Sequence, residues 1–307
     1  MTPHKIAIGA DIGGSHITCR LIDPDRKTLV GDNIVRKHVD SQASKDEILS
    51  AWCQAINEIK ADLSWDEIKG IGFAMPGPFD YPNGIGQFEF VPKFQSLNGV
   101  NVRNEVIARL GLTSDFPVRF MNDAACFAIG ESFFGQVSAH KRFLAITLGT
   151  GFGTTFINDH RPAAGVDGLT DDGFLWYVPL DQGMADDYFS TRWFVNRYKE
   201  LTGREAPGVK EISDLYHTDA VVRQIFSEFG NKLGTFLAPW LIGFSAEAVV
   251  IGGNISGAYA YFKEALMSSL NEGGATVSIY ISELQENAAL CGSAVLCDDE
   301  FYHLLIS

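Results

Sequence analysis

The first third of the chain changes from a strand-like to a helix-like spacing of hydrophobic residues. Short apolar runs predict strands over residues 5–11, 17–23 and 28–39. Over residues 44–63 the apolar positions instead recur every three or four residues, which predicts a helix with one buried face. Ser44 and Glu47 have the spacing of a capping box at the start of this helix. The combination is typical of an α/β lobe.

The rest of the chain continues the alternation. Residues 68–75 predict a buried strand that enters the turn Pro76-Gly77-Pro78. Residues 142–159 predict a strand, a glycine turn and a second strand. Further strands are predicted over residues 117–121 and 246–251, and helices over residues 100–110, 124–134, 188–201, 220–237 and 258–270.

The hairpin at residues 142–159 echoes the hairpin that opens the chain. A shift of 138 residues places residues 6–8 on residues 144–146, and the glycine turns then coincide. A single echo at this distance predicts two similar lobes, each opened by a β-hairpin, with a cleft between them. We expect an N-terminal lobe over residues 1–121, onto which a helix near residues 292–307 packs back, and a C-terminal lobe over residues 122–291.

The composition narrows the classes of partner. The formal net charge is −14, and nucleic acids are bound by clustered Lys and Arg, so the charge argues against a nucleic-acid partner. The N-terminal residues lack the apolar segment of a signal peptide, and no stretch reaches the roughly 18 apolar residues of a membrane span. We therefore expect a cytoplasmic protein without a membrane partner.

The number and spacing of the cysteines are also those expected of a cytoplasmic protein. They are five in number and scattered, and none has C-x-x-C spacing. This distribution favours reduced, buried thiols over a disulfide framework or a zinc site. The residues are Cys19, Cys53, Cys126, Cys291 and Cys297.

Two glycine-rich turns follow predicted strands, D-I-G-G-S at residues 11–15 and G-T-G-F-G at residues 149–153. Consecutive backbone N–H groups in such turns bind anions, and an acidic residue beside the first turn suits a metal that accompanies phosphate. A plain hairpin is the alternative for either turn alone. Together the turns suggest a clamp on a polyphosphate, because the second lacks the Rossmann spacing and the chain has no P-loop motif.

Two other junctions between a strand and a helix are candidate sites. At Asn122-Asp123, a carboxylate could accept the proton of a hydroxyl that attacks a γ-phosphoryl group. The alternative is an ordinary Asn-Asp helix cap. At Gly252-Gly253, a buried strand that ends before a helix could support a flat adenine and ribose, although any such turn has the same pattern.

In this order the motifs resemble the ROK family (repressors, open reading frames and sugar kinases). The resemblance rests on residues 11–14, 76–78, 122–124, 148–151 and 252–253, and on residues 286–296, which are similar to the family's closing A-x-L-x-G-A-A helix. It implies the two-lobed α/β fold of actin and hexokinase, which is ribonuclease H-like. It also implies ATP-dependent phosphorylation of a hexose or related sugar with Mg²⁺, and a homodimer or homotetramer.

The resemblance assigns roles to individual residues. Asp123 becomes the catalytic base, and Asp11 meets Mg²⁺ directly or through water. The expected ATP-binding residues are Asp11, Gly13, Gly14, Ser15, Gly149, Thr150, Gly151, Gly252 and Gly253. The expected sugar-binding residues are Pro76, Gly77, Lys93, Asn122, Asp123, Asp171 and Asp186.

The sugar side departs from the family's pattern. Family kinases carry Glu-x-Gly-His there, where this chain has Asp171 and Phe174 in the outer positions. The cysteine-rich zinc loop is absent from residues 180–188, so we expect no structural zinc, and Asp186 best matches a later Glu. Lys93 stands where the family has an Asn. Either these residues form a rebuilt sugar pocket, or Lys93 is solvated and Phe174 is core packing.

Three functions can be set against these residues. A sugar kinase agrees with all the motifs. A sugar-binding regulator that has lost catalysis is the alternative, and the intact Asp123 and glycine turns argue against it. A nicotinamide-dependent dehydrogenase fails on the glycine spacing.

Overall fold

The structure is a computed structural model that describes residues 6–166 and 168–306. Lys5, at the start of the first predicted strand, and Ser307, at the end of the predicted C-terminal helix, lie outside the described residues. The chain forms two compact units. Unit 1 contains the residues up to Gly135 and those from Glu286 onward, and unit 2 contains Gln136–Gln285.

The strands are β1 Ile6–Ile12, β2 His16–Asp23, β3 Thr28–His38, β4 Ile68–Met75, β5 Phe79–Asp80, β6 Ile85–Gly86, β7 Val118–Asn122, β8 Arg142–Leu148, β9 Phe152–Asn158, β10 Arg161–Ala163, β11 Pro179–Leu180, β12 Gly183–Met184, β13 Ala248–Gly252 and β14 Ser278–Ile281. The long ones coincide with the predicted strands to within a few residues. The short strands β5, β6, β10, β11, β12 and β14 were not predicted, because they have too few residues for a hydrophobic period to emerge.

The helices are α1 Lys45–Lys60, α2 Val102–Leu110, α3 Asp123–Phe134, α4 Ala185–Tyr188, α5 Thr191–Thr202, α6 Val209–Ser213, α7 Ala220–Phe244, α8 Tyr259–Glu272, α9 Asn287–Val295 and α10 Asp299–Ile306. Ser44 and Glu47 form the predicted capping box of α1. Within the described residues, no helix combines the length and apolar character that crossing a bilayer requires.

Unit 1 is built on a five-stranded sheet in the order β3-β2-β1-β4-β7. The hairpins β1–β2 and β2–β3 are antiparallel, whereas β4 and β7 run parallel to β1. Asp11 pairs with Ala74, and Met75 pairs with Asn122. The carboxyl ends of three parallel strands therefore bring Asp11, the turn after Met75, and Asn122 to one edge of the sheet, where α/β proteins commonly bind ligands.

Unit 2 repeats this plan in the order β10-β9-β8-β13-β14. Its hairpin β8–β9 is antiparallel, and β13 and β14 run parallel to β8. The predicted similarity of two halves, each opened by a β-hairpin, is thus present in the strand order and the strand directions of both sheets.

The units divide at residues 135/136 and 285/286 rather than at the expected 121/122 and 291/292. The reason is that α3 and α9 pack against each other and against the sheet of unit 1, with Cys126 of α3, Ala74 of β4 and Val295 of α9 in one buried cluster. The expected single C-terminal helix is two helices, α9 and α10, and both belong to unit 1.

Candidate active site

Asn122 and Asp123 mark the end of β7 and the beginning of α3. Asn122 Oδ1 accepts hydrogen bonds from the N–H groups of Ala124 and Ala125 at 3.0 and 3.2 Å, which caps the helix. Asp123 Oδ1 accepts bonds from Asn122 Nδ2 at 3.0 Å and from the Ala124 N–H at 2.9 Å. Asp123 Oδ2 accepts no side-chain hydrogen bond from a described residue. The pair is therefore both a helix cap and a carboxylate held in one orientation.

Burial raises the pKa of Asp123 above its ordinary value. The hydrogen bonds from Ala124 and Asn122 and the positive charge of Lys93 act in the opposite direction and limit this rise. A carboxylate with a raised pKa is a stronger base, provided that it remains ionised at the working pH.

Tyr81, which belongs to none of the motifs in the sequence, connects this pair to the turn after β4. Its hydroxyl donates to the Met75 carbonyl at 3.2 Å, and Asn122 Nδ2 lies 3.4 Å from the same hydroxyl. A Cβ atom at Gly77 would lie 3.2 Å from the Tyr81 oxygen. Tyr81 thus positions both Asn122 and the Pro76-Gly77 turn. The only feature of the sequence that could have indicated this role is the position of Tyr81 just after a predicted turn.

The first glycine turn joins β1 to β2. The Gly13 N–H donates to the His16 carbonyl at 2.8 Å, which closes the turn. The N–H groups of Gly14 and Ser15 donate to no described residue, so two consecutive donors remain available to an anion. The His16 ring covers Gly13, because a Cβ atom there would lie 2.8 Å from its Cε1. This is the arrangement expected of a phosphate-binding turn.

Asp11 stands beside this turn in a negatively charged environment. Burial raises its pKa to about 7, the nearby Asp123 and Glu286 carboxylates add to the rise, and Arg36 opposes it. Adjacent carboxylates without a sufficient counter-ion fit a divalent cation, which takes oxygen ligands from carboxylate, water and phosphate. The residues present are therefore compatible with Mg²⁺ at Asp11, with phosphate and water completing the ligands.

Three further residues, none of which is among the expected ATP- or sugar-binding residues, form a chain of contacts that begins at the turn. Arg36 Nη2 lies 3.0 Å from His16 Nε2, and Arg36 Nη1 forms an ion pair with Glu286 Oε2 at 3.4 Å. All three side chains keep contact with solvent. They come from β2, β3 and the start of α9. Because up to 270 residues separate them in the chain, no local sequence pattern indicates that they meet.

The charge at Asp11 leads to a stability prediction. Between about pH 4 and pH 7 the carboxyl is ionised in the unfolded chain but protonated in the folded one, so folding binds a proton and stability falls as pH rises. We expect Asp11→Asn to raise the free energy of unfolding by about 2 kcal/mol at pH 8 and to change it little at pH 4. The rise of the Asp11 pKa from 3.8 to about 7 sets an upper limit of about 4 kcal/mol, which the partial exposure of Asp11 reduces. If thermal unfolding showed that Asp11→Asn changes stability equally at pH 4 and pH 8, the raised pKa of Asp11 would be contradicted.

The second glycine turn, in unit 2, joins β8 to β9. Gly149 O accepts bonds from the Thr191 N–H at 2.8 Å and the Thr191 hydroxyl at 2.9 Å. The N–H groups of Thr150 and Gly151 donate to no described residue. This turn therefore repeats the pair of available donors found at the first turn.

Asp186 lies against the second glycine turn. Its Oδ1 accepts the Phe152 N–H at 2.7 Å, and its Oδ2 pairs with Arg192 at 2.6 Å. A Cβ atom at Gly151 would lie 2.9 Å from Asp186 Oδ1. Asp186 thus fixes the turn, and Arg192, which belongs to none of the motifs in the sequence, compensates its charge.

Gly252 and Gly253 lie next to the same turn. Gly252 pairs with Thr147 of β8, and a Cβ atom at Gly253 would lie 2.3 Å from the Leu148 carbonyl oxygen. Gly253 also has a φ of 81°, which favours glycine. The absence of a side chain lets the end of β13 approach the end of β8.

The segment that replaces Glu-x-Gly-His is an ordered turn in unit 2. Asp172, rather than Asp171, forms its hydrogen bonds, accepting from the Phe174 N–H at 3.0 Å and the Tyr177 hydroxyl at 2.9 Å. Asp171 is exposed, and no described residue forms a side-chain hydrogen bond or ion pair with it. Phe174 is half-buried.

The described part of the chain contains no group of three or more His, Cys, Asp or Glu side chains placed to hold a metal ion. All five cysteines are free and buried. Burial raises the pKa of the Cys53 thiol to about 11 and that of Cys291 and Cys297 to about 12, so these thiols are protonated near neutral pH.

Known proteins are similar to this chain in sequence and in fold. The sequence profile of the ROK family matches residues 7–300. A glucokinase from Thermotoga maritima is 25% identical over 95% of this chain and 97% of its own length. An N-acetyl-D-glucosamine kinase from Haemophilus influenzae is 24% identical over 85% of this chain and 88% of its own. The structure of a ROK family glucokinase from Streptomyces griseus, solved with glucose and AMPPNP, matches with a TM-score of 0.73 at 23% identity and covers 95% of this chain and 98% of that one. The predicted fold class, that of actin- and hexokinase-like kinases, is confirmed.

Proposed function

Because this chain belongs to the ROK family, we propose that it is an ATP-dependent sugar kinase in which Asp123 is the general base. The proposal rests mainly on the groups that lie together at one edge of the unit 1 sheet. There a positioned carboxylate, an amide and a glycine turn with two available N–H donors stand at the ends of parallel strands. A helix cap alone would not require the neighbouring acidic residue or the phosphate-binding turn.

The proposed reaction transfers the γ-phosphoryl group from ATP to a sugar hydroxyl. The hydroxyl oxygen forms a bond to the γ-phosphorus, the bond from phosphorus to the bridging oxygen breaks, and ADP leaves with that electron pair. The hydroxyl proton passes to Asp123, for which Oδ2 is the available oxygen because Oδ1 already accepts two hydrogen bonds. Asn122 is proposed to hydrogen-bond a neighbouring sugar hydroxyl.

Each glycine turn is proposed as a phosphate-binding element within its own unit. The N–H groups of Gly14 and Ser15 and those of Thr150 and Gly151 are suitable donors to phosphate oxygens. Gly252-Gly253 would lie along the nucleoside. Mg²⁺, when bound, supplies positive charge at the phosphates, and Asp11 is the residue proposed to hold it directly or through water.

The proposal extends to the class of sugar that the protein phosphorylates. The two relatives described above act on glucose and on N-acetyl-D-glucosamine. Within unit 1, Pro76, Gly77 and Asn122 are proposed to contact the sugar. Asp171 and Asp186 are the residues of unit 2 proposed as sugar ligands. Phe174 cannot accept the hydrogen bond that a His would accept, so a site built on this chain loses one means of rejecting the wrong sugar. We therefore propose a hexose or hexosamine substrate with modest discrimination.

The experiment is an assay of ADP release with Mg²⁺ and ATP across glucose, mannose, fructose, allose, N-acetylglucosamine and N-acetylmannosamine. We expect sugar-dependent turnover, with kcat/KM values for at least two of these sugars within about 100-fold of each other, the discrimination that a pocket lacking a specific polar contact provides. Sugar binding by calorimetry without turnover on any of them would favour the alternative, a sugar-binding regulator.

A further inference from the structure

Lys93 lies over the first glycine turn. A Cβ atom at Gly14 would lie 2.7 Å from Lys93 Nζ, 2.9 Å from its Cε and 3.1 Å from its Cδ. The outer half of the lysine side chain therefore occupies the space that any residue other than glycine would fill. This brings the ammonium group to the pair of available N–H donors at Gly14 and Ser15.

The backbone on both sides of Lys93 is anchored. The side chain of Gln42 donates a hydrogen bond to the Pro92 carbonyl, and the Phe94 N–H donates to the Ser41 carbonyl at 2.9 Å. Phe94 is fully buried, with ring centroids 5.8 Å from those of Trp52 and Phe88. The lysine thus extends from a fixed point, although its own side chain is exposed.

The charge of Lys93 is not neutralised by a partner. Lys37, Lys45 and Lys69 of the same unit each form an ion pair with a carboxylate. No described residue forms an ion pair or a hydrogen bond with the Lys93 ammonium group. Its positive charge nevertheless acts on Asp123, where it opposes the rise of the carboxyl pKa. A cation therefore stands within electrostatic range of the proposed base while it covers the phosphate-binding turn.

We propose that Lys93 binds the γ-phosphoryl group of ATP during its transfer, and is not primarily a sugar ligand. The inference rests on the proposed kinase function. An ammonium group donates three hydrogen bonds and accepts none, so a charged phosphoryl oxygen is a better partner than a neutral hydroxyl. Charge on the transferring group is spread over its outer oxygens, where a positioned cation lowers the barrier. Gly14 is required because it leaves room for this side chain.

Steady-state kinetics separate the two roles of Lys93. Lys93→Met should lower kcat by about 10²–10³-fold, the usual effect of removing one charge-stabilising donor, and change the KM for the sugar less than about threefold. Lys93→Arg keeps the charge and should recover most of the loss. Lys263→Met, on the exposed surface of α8, is the matched control and should leave both constants unchanged.

Nucleotide binding gives a readout that does not depend on turnover. With Mg²⁺ and calorimetry, the wild-type protein should bind AMPPNP more tightly than ADP. Lys93→Met should weaken AMPPNP about tenfold and ADP less than twofold, because only AMPPNP has a γ-phosphoryl group. A variant that raises the sugar KM at unchanged kcat, with unchanged AMPPNP affinity, would overturn the proposal. If no sugar supports turnover by the wild-type protein, the kinase proposal fails, whereas the AMPPNP measurement still decides whether Lys93 contacts the terminal phosphate.

Discussion

Asp123→Asn should lower kcat by about 10²–10⁴-fold, the range found when a general base is lost. Asparagine has nearly the same shape, and its amide oxygen can still accept the bonds that the Ala124 N–H and Asn122 Nδ2 give to Asp123 Oδ1. The variant should therefore retain the cap of α3 and bind sugar within a few-fold of the wild-type affinity. What it loses is the group that accepts the proton of the attacking hydroxyl.

The control is Asp62→Asn, an exposed carboxylate just after α1, which should leave kcat unchanged. The pH dependence adds a second check. The kcat/KM of the wild-type enzyme should fall as pH decreases through the raised pKa of the coupled carboxylates Asp11 and Asp123, and so at a higher pH than an ordinary Asp would give. An Asp123→Asn variant that keeps more than a third of the wild-type kcat would exclude Asp123 as the base.

Gly292→Ala should be among the most destabilising small substitutions in unit 1. A Cβ atom at Gly292 of α9 would lie 1.8 Å from the Cys126 carbonyl oxygen of α3, and one at Gly72 of β4 would lie 1.7 Å from the Ser293 carbonyl oxygen. Because these neighbours are backbone atoms, they cannot move without shifting a helix or a strand. We expect a loss of about 3 kcal/mol or more in the free energy of unfolding, at the upper end of overpacking effects.

Calorimetric unfolding would measure the effect as a decrease of about 6–12 °C in the unfolding midpoint of the protein, at about 2–4 °C per kcal/mol. Gly257→Ala is the matched control, because a Cβ atom there meets no atom within 4 Å. That substitution should change the midpoint by about 1–2 °C at most, as is usual for surface changes away from special features. Equal, small shifts for both variants would mean that α9 does not pack against α3 and β4 at backbone contact.

Local patterns in the sequence predicted most of the fold. The helix that begins after Ser44 was predicted with its cap because both signals, the apolar spacing and the capping box, lie within a few residues. The strand at residues 68–75 was predicted with its exact bounds because all but one of its residues are buried. Hydrophobic period and capping chemistry are local properties, so a single sequence contains them.

Helix ends that depend on tertiary packing were predicted less well. Helix α7 continues past the predicted end at residue 237 to Phe244, although Pro239 lies inside it. Proline removes one backbone donor and usually ends or kinks a helix, but Leu237, Leu241 and Phe244 are buried on both sides of it and hold the continuing turns. Likewise, the predicted helix over residues 188–201 is divided at Phe189-Ser190, where Ser190 becomes the N-cap of α5.

The residues of the candidate site differ in the same way: those in local motifs were predicted, and those brought together only by folding were not. The two glycine turns and Asn122-Asp123 were found because each is a short motif beside a predicted strand. Tyr81, Arg36 and Glu286 were not found, because only the folded sheet brings them near Asp11 and Asn122. The position of Lys93 over Gly14 could not be predicted either, because 79 residues separate the two in the chain.

The most direct test of the central claim is the identity of the product. The protein should be incubated with Mg²⁺, ATP and the best sugar of the panel, and ³¹P NMR should follow the phosphorus-containing species in the wild-type protein and in Asp123→Asn. The account predicts a sugar monophosphate and ADP formed in equal amounts by the wild-type protein, and neither above background in the variant. ATP consumption without a sugar phosphate, or equal product formation by both proteins, would contradict it.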